Sequence, residues 1–310
     1  MGQHQPAVWL GFSALVVALL ALDLGVLNRR AHTLGFREAL RWSASVVALA
    51  LLFGGFVFWQ EGGQSALEYY TGYLVELSLS VDNLFVFILI FAYFGVPPEA
   101  QPKVLKWGIL GAIVMRFVMI ALGALLLQRF EWIIWVFGAI LIVTGIRVWR
   151  QEGEQIEPEK NPVARLARRV LPFSSGYDGT RFVTRAADGR VLATPLLLVL
   201  LLVEWSDLVF AIDSIPAVFA VTRDPFLVFS SNVFAILGLR ALFFVVAGAM
   251  DRFTYLKPGV ALILVFVGCK MALSHWVHLP IGISLAVIVG TLGGAVGLSL
   301  WRSGTPRTAG

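Results

Sequence analysis

The stretch "VELSLSVDNLFVF", residues 75–87, decides how the chain is read. Two acids, Glu76 and Asp82, an amide, Asn83, and two serines stand in sequence otherwise apolar enough for a lipid bilayer. A second stretch, "VEWSDLVFAIDSIPAVF" (203–219), repeats the device with Glu204, Asp207, Asp213 and Ser214. A carboxylate at the centre of a spanning helix costs about 2.5–3.5 kcal/mol on insertion scales. Five of them facing lipid would be prohibitive, so they must face the interior of a bundle and be neutralised there.

The rest of the composition sets the context. Of 310 residues, 58% are hydrophobic and only 14% charged, with mean hydropathy +0.83. A soluble domain carries about 25% charged residues. The chain therefore reads as an all-α, polytopic membrane protein, with the lipid bilayer as its first partner. Nine apolar segments are long enough to span, at 8–27, 39–59, 67–94, 104–127, 131–149, 194–221, 226–249, 257–274 and 280–301. The domain plan is transmembrane helices 1–5 over 1–149, a soluble loop over 150–193, helices 6–9 over 194–301 and a tail over 302–310. No basic n-region precedes the first segment, so it reads as a spanning helix and not as a cleaved signal peptide. A single cysteine, Cys269, excludes an internal disulfide framework.

The basic residues give the orientation. Nineteen of them fall in the loops of one side or in the tail, against Arg129 and Arg223 on the other. The positive-inside rule then places the N-terminus outside and the C-terminus in the cytoplasm. It also accounts for the pI near 9.6 without a nucleic-acid partner. Within the loop, "VARLARRVL" reads as a basic amphipathic helix for the membrane surface, and "RFVTRAADGRVLA" as a hairpin turning near Asp188-Gly189. The segment as a whole reads first as a tether between two halves, and second as a regulatory or docking element.

The two acidic stretches belong to a longer repeat. With Asp82 aligned on Asp213, Glu76 falls on Asp207 and Asn83 on Ser214. Further along, Arg116 falls on Arg240, and Arg129-Phe130 falls one residue out of step with Arg252-Phe253. Helices 3–5 thus repeat as helices 6–8. Three is odd, so the copies cross in opposite senses, as in secondary transporters whose site lies at the midplane. Helices 3 and 6 are expected to cross at the centre, with Asp82 and Asp213 in reach of one ion. Oxygen ligands without Cys or His suit a hard divalent cation: Mn²⁺, Mg²⁺ or Ca²⁺. The candidate metal ligands are Glu76, Asp82, Asn83, Glu204, Asp207, Asp213 and Ser214. Arg116 and Arg240 read as partners of the acids, able to hold the cluster together and release it to an arriving metal. Carboxylates that take up a metal can give up protons, so proton exchange is the natural coupling. No permanently bound cofactor is expected.

Geometry adds a further expectation. Residues six apart lie about 240° apart on a straight helix, so Glu76 would miss Asp82 and Asp207 would miss Asp213. Helices 3 and 6 are therefore expected to break near their acids. Pro216 favours this in helix 6, because it frees the carbonyl of Ile212.

The stretches "ELSLSVDNLFVF", "EWSDLVFAIDSIPAVFA", "TRDPF" and "SNVFAILGLRALFF" resemble the signature segments of the TerC family. "ALDLGVLNRRAHTLGFREAL" and "DGRVLATPL" are similar too. The resemblance covers almost the whole chain. It implies a bacterial inner-membrane protein of nine helices, associated with manganese efflux and, by name, with tellurite resistance. It also implies that Glu76, Asp82, Glu204, Asp207 and Asp213 line the ion path, and it tips the choice of ion to Mn²⁺ and of direction to export.

Other readings fit less well. No HExxH, no GxSxG-type serine motif and no nucleotide-binding loop is present, so no enzyme is expected. An intramembrane aspartyl protease would use two acids, not five repeated in inverted register. A membrane scaffold of a tellurite or metal-stress complex explains the soluble loop but leaves the acids idle. Asp23 reads as structural. His275 and His278 sit at a helix end and do not read as a zinc site. Gly290, Gly294 and Gly297 read as a helix-packing stripe.

Asp82→Asn and Asp213→Asn keep shape and remove charge. Each should abolish tolerance of excess Mn²⁺ in an efflux-deficient bacterial host at unchanged membrane levels, whereas His275→Ala should leave it intact. Normal tolerance from both Asp variants would make these acids structural.

Overall fold

A computed structural model describes residues 6–25, 36–130, 132–150, 161–186, 188–247, 255–273 and 280–303. Asn28, the start of the soluble loop, Arg252-Phe253, His275, His278 and the end of the tail lie outside the described residues. So do the side chains of Asp23 and Asp82.

The fold is helical and built for a membrane. In chain order the helices are α1 (Pro6–Gly25), α2 (Phe36–Glu61), α3 (Gly63–Tyr93), α4 (Gln101–Arg129), α5 (Ile133–Arg150), α6 (Pro162–Val170), α7 (Pro195–Phe219), α8 (Pro225–Ala247), α9 (Leu256–Ala272) and α10 (Ile281–Ser303). Among the described residues, seven helices are long and apolar enough to cross a bilayer, and apolar stretches of α1 and α9 add two shorter ones. These nine coincide with the nine apolar segments of the sequence. The tenth, α6, is short and basic.

Local chemistry marks the boundaries. Asp224 accepts a hydrogen bond from the Phe226 amide at 2.8 Å, which caps the start of α8 ahead of Pro225. Asn161 does the same for α6, accepting from the Val163 amide at 2.9 Å. Only Gly62 separates α2 from α3. Its φ of +89° and ψ of −178° lie where a side chain does not fit.

α8 is the hub. Of its apolar window, 83% is buried, and α2, α3 and α4 pack around it. α3 also packs on α7, and α4 on α7, so α3, α4, α7 and α8 form a four-helix centre. α5 and α9 form a close pair beside it. Glycines set that closeness. A Cβ at Gly145 would stand 2.9 Å from the Ala261 carbonyl oxygen, and one at Gly268 would stand 2.9 Å from the Gly138 carbonyl oxygen. Small residues allow this approach between membrane helices. The stripe in α10 behaves otherwise: a Cβ at Gly290, Gly294 or Gly297 would meet nothing within 4 Å. Among the described residues no helix of the chain packs on this stripe, which is exposed.

Two further expectations change. α3 is one continuous helix of 31 residues, and α7 one of 25 with Pro216 inside it. Neither breaks at its acids. Pro216 lies one turn from the C-terminal end of α7, where a lost hydrogen bond does least damage. At 1.5 Å per residue α3 is about 46 Å long, so it must tilt or project beyond a core of about 30 Å.

The segment between α5 and α7 is folded where it is described. β1 (Val183–Arg185) pairs antiparallel with β2 (Val191–Ala193), and Gly189 in the turn has φ +83°. Arg190, bonded through its backbone amide and then its side chain, holds the Asp188 carboxyl below its ordinary range. The stretch leading into the hairpin docks on one end of the bundle. Lys103 donates to the Thr180 carbonyl at 2.6 Å, Tyr177 to the Phe94 carbonyl at 2.8 Å, and Thr194 to the Arg181 carbonyl at 2.7 Å. Inside α6, Ala164 and Ala167 are buried, while Leu166 and Val170 are exposed.

The glycine contacts make a paired test. Gly145→Ala should destabilise the purified protein by about 1–3 kcal/mol, because the clash is with backbone. Gly290→Ala should be neutral or slightly stabilising. Thermal unfolding in one detergent compares them, and equal midpoints would contradict the α5–α9 contact.

Candidate functional site

Arg116 sits in the middle of α4 and is fully buried. An arginine cannot shed its proton there, so the fold must supply anions. It supplies two. The guanidinium Nη1 pairs with Glu76 Oε1 from α3. Nη2 stands 3.1 Å from Asp207 Oδ1 and Nε 3.4 Å from Asp207 Oδ2, a two-pronged contact with α7. Nη1 also reaches Ser214 Oγ at 3.3 Å. Glu76 is 0% exposed and Asp207 5%. One guanidinium thus stands between two carboxyl groups in the buried centre of the bundle.

The straightness of α7 explains which groups meet. Residues seven apart return to within about 20° of one face. Asp207 and Ser214 therefore point the same way, toward Arg116. Asp213, six from Asp207, points elsewhere: its Oδ1 accepts from Thr144 Oγ1 on α5 at 2.8 Å, with the charge of Arg147 nearby. On α3, Glu76 and Asn83 are likewise seven apart. Asn83 is buried, and its Nδ2 makes no hydrogen bond. Asp82 lies on α3, but its side chain is outside the described residues.

Glu204 flanks this centre. It is close enough to Asp207 for their charges to interact. Its carboxylate presses on Gly111 of α4, where a Cβ would stand 2.2 Å from Oε1. A cavity of about 20 Å³ opens beside Asp207 and reaches Arg240, between α3, α4, α7 and α8. That is room for one water. At the end of the bundle away from the hairpin, a pocket of about 580 Å³ is lined by Glu68, Gln128, Thr222, Arg223 and Asp224. There Glu68 accepts from Thr222 Oγ1 at 2.6 Å and from Gln64 at 3.1 Å.

The seven candidate ligands are thus only partly gathered. Glu76, Asp207 and Ser214 share Arg116, with Glu204 adjacent, while Asp213 turns to α5. Among the described residues no three of His, Cys, Asp and Glu come close enough to hold a metal between them. Arg116 occupies the space between the two paired acids. Two residues of this region escape a reading of the sequence. Thr144 carries no signal, since threonine is common in apolar helices. Asn232, treated below, does carry one: it is an amide in the middle of a buried apolar helix.

Comparison with known proteins now bears on the whole chain. The profile of the family described as "Integral membrane protein TerC family" matches residues 61–306. The chain belongs to the TerC family. Its similarity extends over nearly the full length of individual members. It is 53% identical to "Uncharacterized membrane protein STKORF319" of Myxococcus xanthus over 298 residues, 96% of this chain and 93% of the other. It is 46% identical to "Putative membrane-bound redox modulator Alx" of Escherichia coli (strain K12) over 296 residues, 93% and 92% of the two chains. The Salmonella typhi protein of the same description is 44% identical over 305 residues, 96% and 94% of the two. No solved structure matches the chain.

The ion-paired centre predicts an asymmetry of substitutions. Arg116→Met strands two buried carboxylates and should cost about 3–5 kcal/mol. Adding Glu76→Gln and Asp207→Asn to it should recover most of the loss. Thermal midpoints of the purified variants decide, and a wild-type midpoint for Arg116→Met alone would refute the pairing.

Proposed function

We propose that this TerC family protein is a secondary transporter of a divalent metal cation, Mn²⁺ first among the hard ions, and that it exports the ion from the bacterial cytoplasm. The observation that carries the proposal is the fully buried Glu76–Arg116–Asp207 centre. Two carboxylates at the meeting of α3 and α7, deep in apolar sequence, are expensive to keep. The cost is explained if they serve a cation that must cross. Arg116 neutralises them when that cation is absent, and Glu204, one turn before Asp207, extends the acidic surface toward one end. The donors are oxygens, the set that suits Mn²⁺, Mg²⁺ or Ca²⁺. The resemblance of the signature segments to TerC proteins selects Mn²⁺ and efflux.

The helix contacts support the inverted-repeat reading. Under the sequence alignment α3 corresponds to α7, α4 to α8 and α5 to α9. The larger contacts are reciprocal under that exchange, while the small α4–α5 and α7–α9 contacts are not matched. α3 meets α8 and α7 meets α4; α3 meets α9 and α7 meets α5; and each helix meets its own counterpart. Such repeats place the site at the middle of the membrane. In this reading the hairpin end is cytoplasmic, the pocket beside Glu68 is the external mouth, and protons displaced from the carboxylates drive exchange. The protein acts as a carrier and not as an enzyme. A redox effect of such a protein needs no thiol pair in the chain, which has only Cys269. Removing a redox-active metal from a cell changes its redox chemistry directly.

Inside-out vesicles test this. With an imposed proton gradient, vesicles carrying the protein should accumulate Mn²⁺ faster than empty ones, with Mg²⁺ and Ca²⁺ as competitors. Glu76→Gln and Asp207→Asn should each slow uptake about tenfold or more. Deleting the α6–hairpin segment should leave transport measurable, whereas a scaffold would lose its function. Flux no greater than in empty vesicles for all three ions would overturn the proposal.

A further inference from the structure

α8 carries three consecutive polar residues, Ser230, Ser231 and Asn232, all buried. The two hydroxyls are accounted for within the helix: Ser230 donates to the Leu227 carbonyl at 3.3 Å and Ser231 to the Val228 carbonyl at 3.1 Å. Asn232 is not. It is 1% exposed, and neither its Oδ1 nor its Nδ2 makes a hydrogen bond. A buried amide left in that condition works against folding, and a leucine of similar size would not.

The Asn232 amide on α8 is close enough to the Glu76 carboxylate to interact with it, outside hydrogen-bond geometry. Glu76 is in a related condition. Oε1 is taken by Arg116, but Oε2 is buried and makes no hydrogen bond. Four of the five Arg116 N–H donors go to Oε1, Asp207 and Ser214, and none goes to Oε2. Two polar groups on two closely packed helices therefore confront each other with oxygen atoms to spare. A carboxylate oxygen and an amide oxygen are the donor pair that hard divalent cations take. An amide adds a ligand without adding another buried charge.

The geometry points to Asn232 as a direct ligand of the transported divalent cation, coordinating through its side-chain oxygen beside Glu76 Oε2. This rests on the cation-transport reading and adds to it a fourth helix and a neutral ligand. It also separates two jobs within one carboxylate: Oε1 faces the internal cation, Arg116, and Oε2 faces the ion.

The test uses the full chain, purified in detergent, with Mn²⁺ as the probe. Wild type should bind Mn²⁺ in a calorimetric titration and show a Mn²⁺-dependent rise in thermal midpoint. Asn232→Leu should have a metal-free midpoint equal to or above wild type, because it removes an unpartnered polar group. Its Mn²⁺ affinity should fall about tenfold or more, and the metal-dependent rise should shrink with it. A structural asparagine would give the opposite pattern, a lowered metal-free midpoint with unchanged affinity, and that result overturns the assignment. Asn232→Ser, whose hydroxyl α8 can satisfy as it does for Ser230 and Ser231, replaces the leucine variant if that one does not accumulate; unchanged affinity there overturns the assignment equally. If wild type binds none of Mn²⁺, Mg²⁺ and Ca²⁺, the transport reading falls first and takes this inference with it. If wild type binds and Asn232→Leu binds equally well, only this inference falls.

Discussion

A guanidinium that cannot lose its charge, placed at the centre of an apolar bundle, constrains everything around it. Arg116 requires anions within hydrogen-bonding distance, and Glu76 and Asp207 come from two other helices to meet it. That requirement fixes how α3, α4 and α7 are rotated about their axes. Rotation in turn sets which residues one turn or two turns away face inward. Ser214 is carried to the guanidinium and Asp213 is carried off to Thr144 on α5. Replacing such a centre with apolar residues is often neutral or stabilising in other proteins. Its presence here is therefore weak as an argument for stability and stronger as one for function.

Much of the fold was legible because membranes impose severe rules. Long apolar runs announced the helices, and buried carboxylates announced an interior. The break expected in α3 and α7 was inferred from the demand that both acids of each pair reach one site. The structure meets the 240° problem in α7 differently: the helix stays whole, and only one acid of its pair, Asp207, serves the centre. The periodicity that separates Asp207 from Asp213 also unites Asp207 with Ser214, and that pairing could have been read from the sequence. The partner of Asp213 could not, because Thr144 looks like any other threonine in an apolar helix. The unpartnered state of Asn232 was equally out of reach, since it depends on where the neighbouring side chains end.

Glycines show the same limit. Gly145 and Gly268 permit the α5–α9 approach, while Gly290, Gly294 and Gly297 meet nothing within 4 Å among the described residues. The second set has the regular spacing that reads as a packing stripe, and the first does not. Spacing reports which residues share a face. It does not report what that face meets.

The docked hairpin makes the two ends of the bundle mechanically unequal. On one side its lead-in, at Tyr177 and Thr180, is bonded to Phe94 at the end of α3 and to Lys103 at the start of α4. On the other it runs through Thr194 straight into α7. It is a strut from the α3–α4 end to the start of α7. Any movement that parts α3 and α4 from α7 at this end must break those bonds or carry the strut along. At the opposite end Glu68 of α3 accepts a hydrogen bond from Thr222 and feels the charge of Lys270 on α9. The tie at the hairpin end thus links α3 and α4 to the start of α7 through a segment that lies outside the spanning helices.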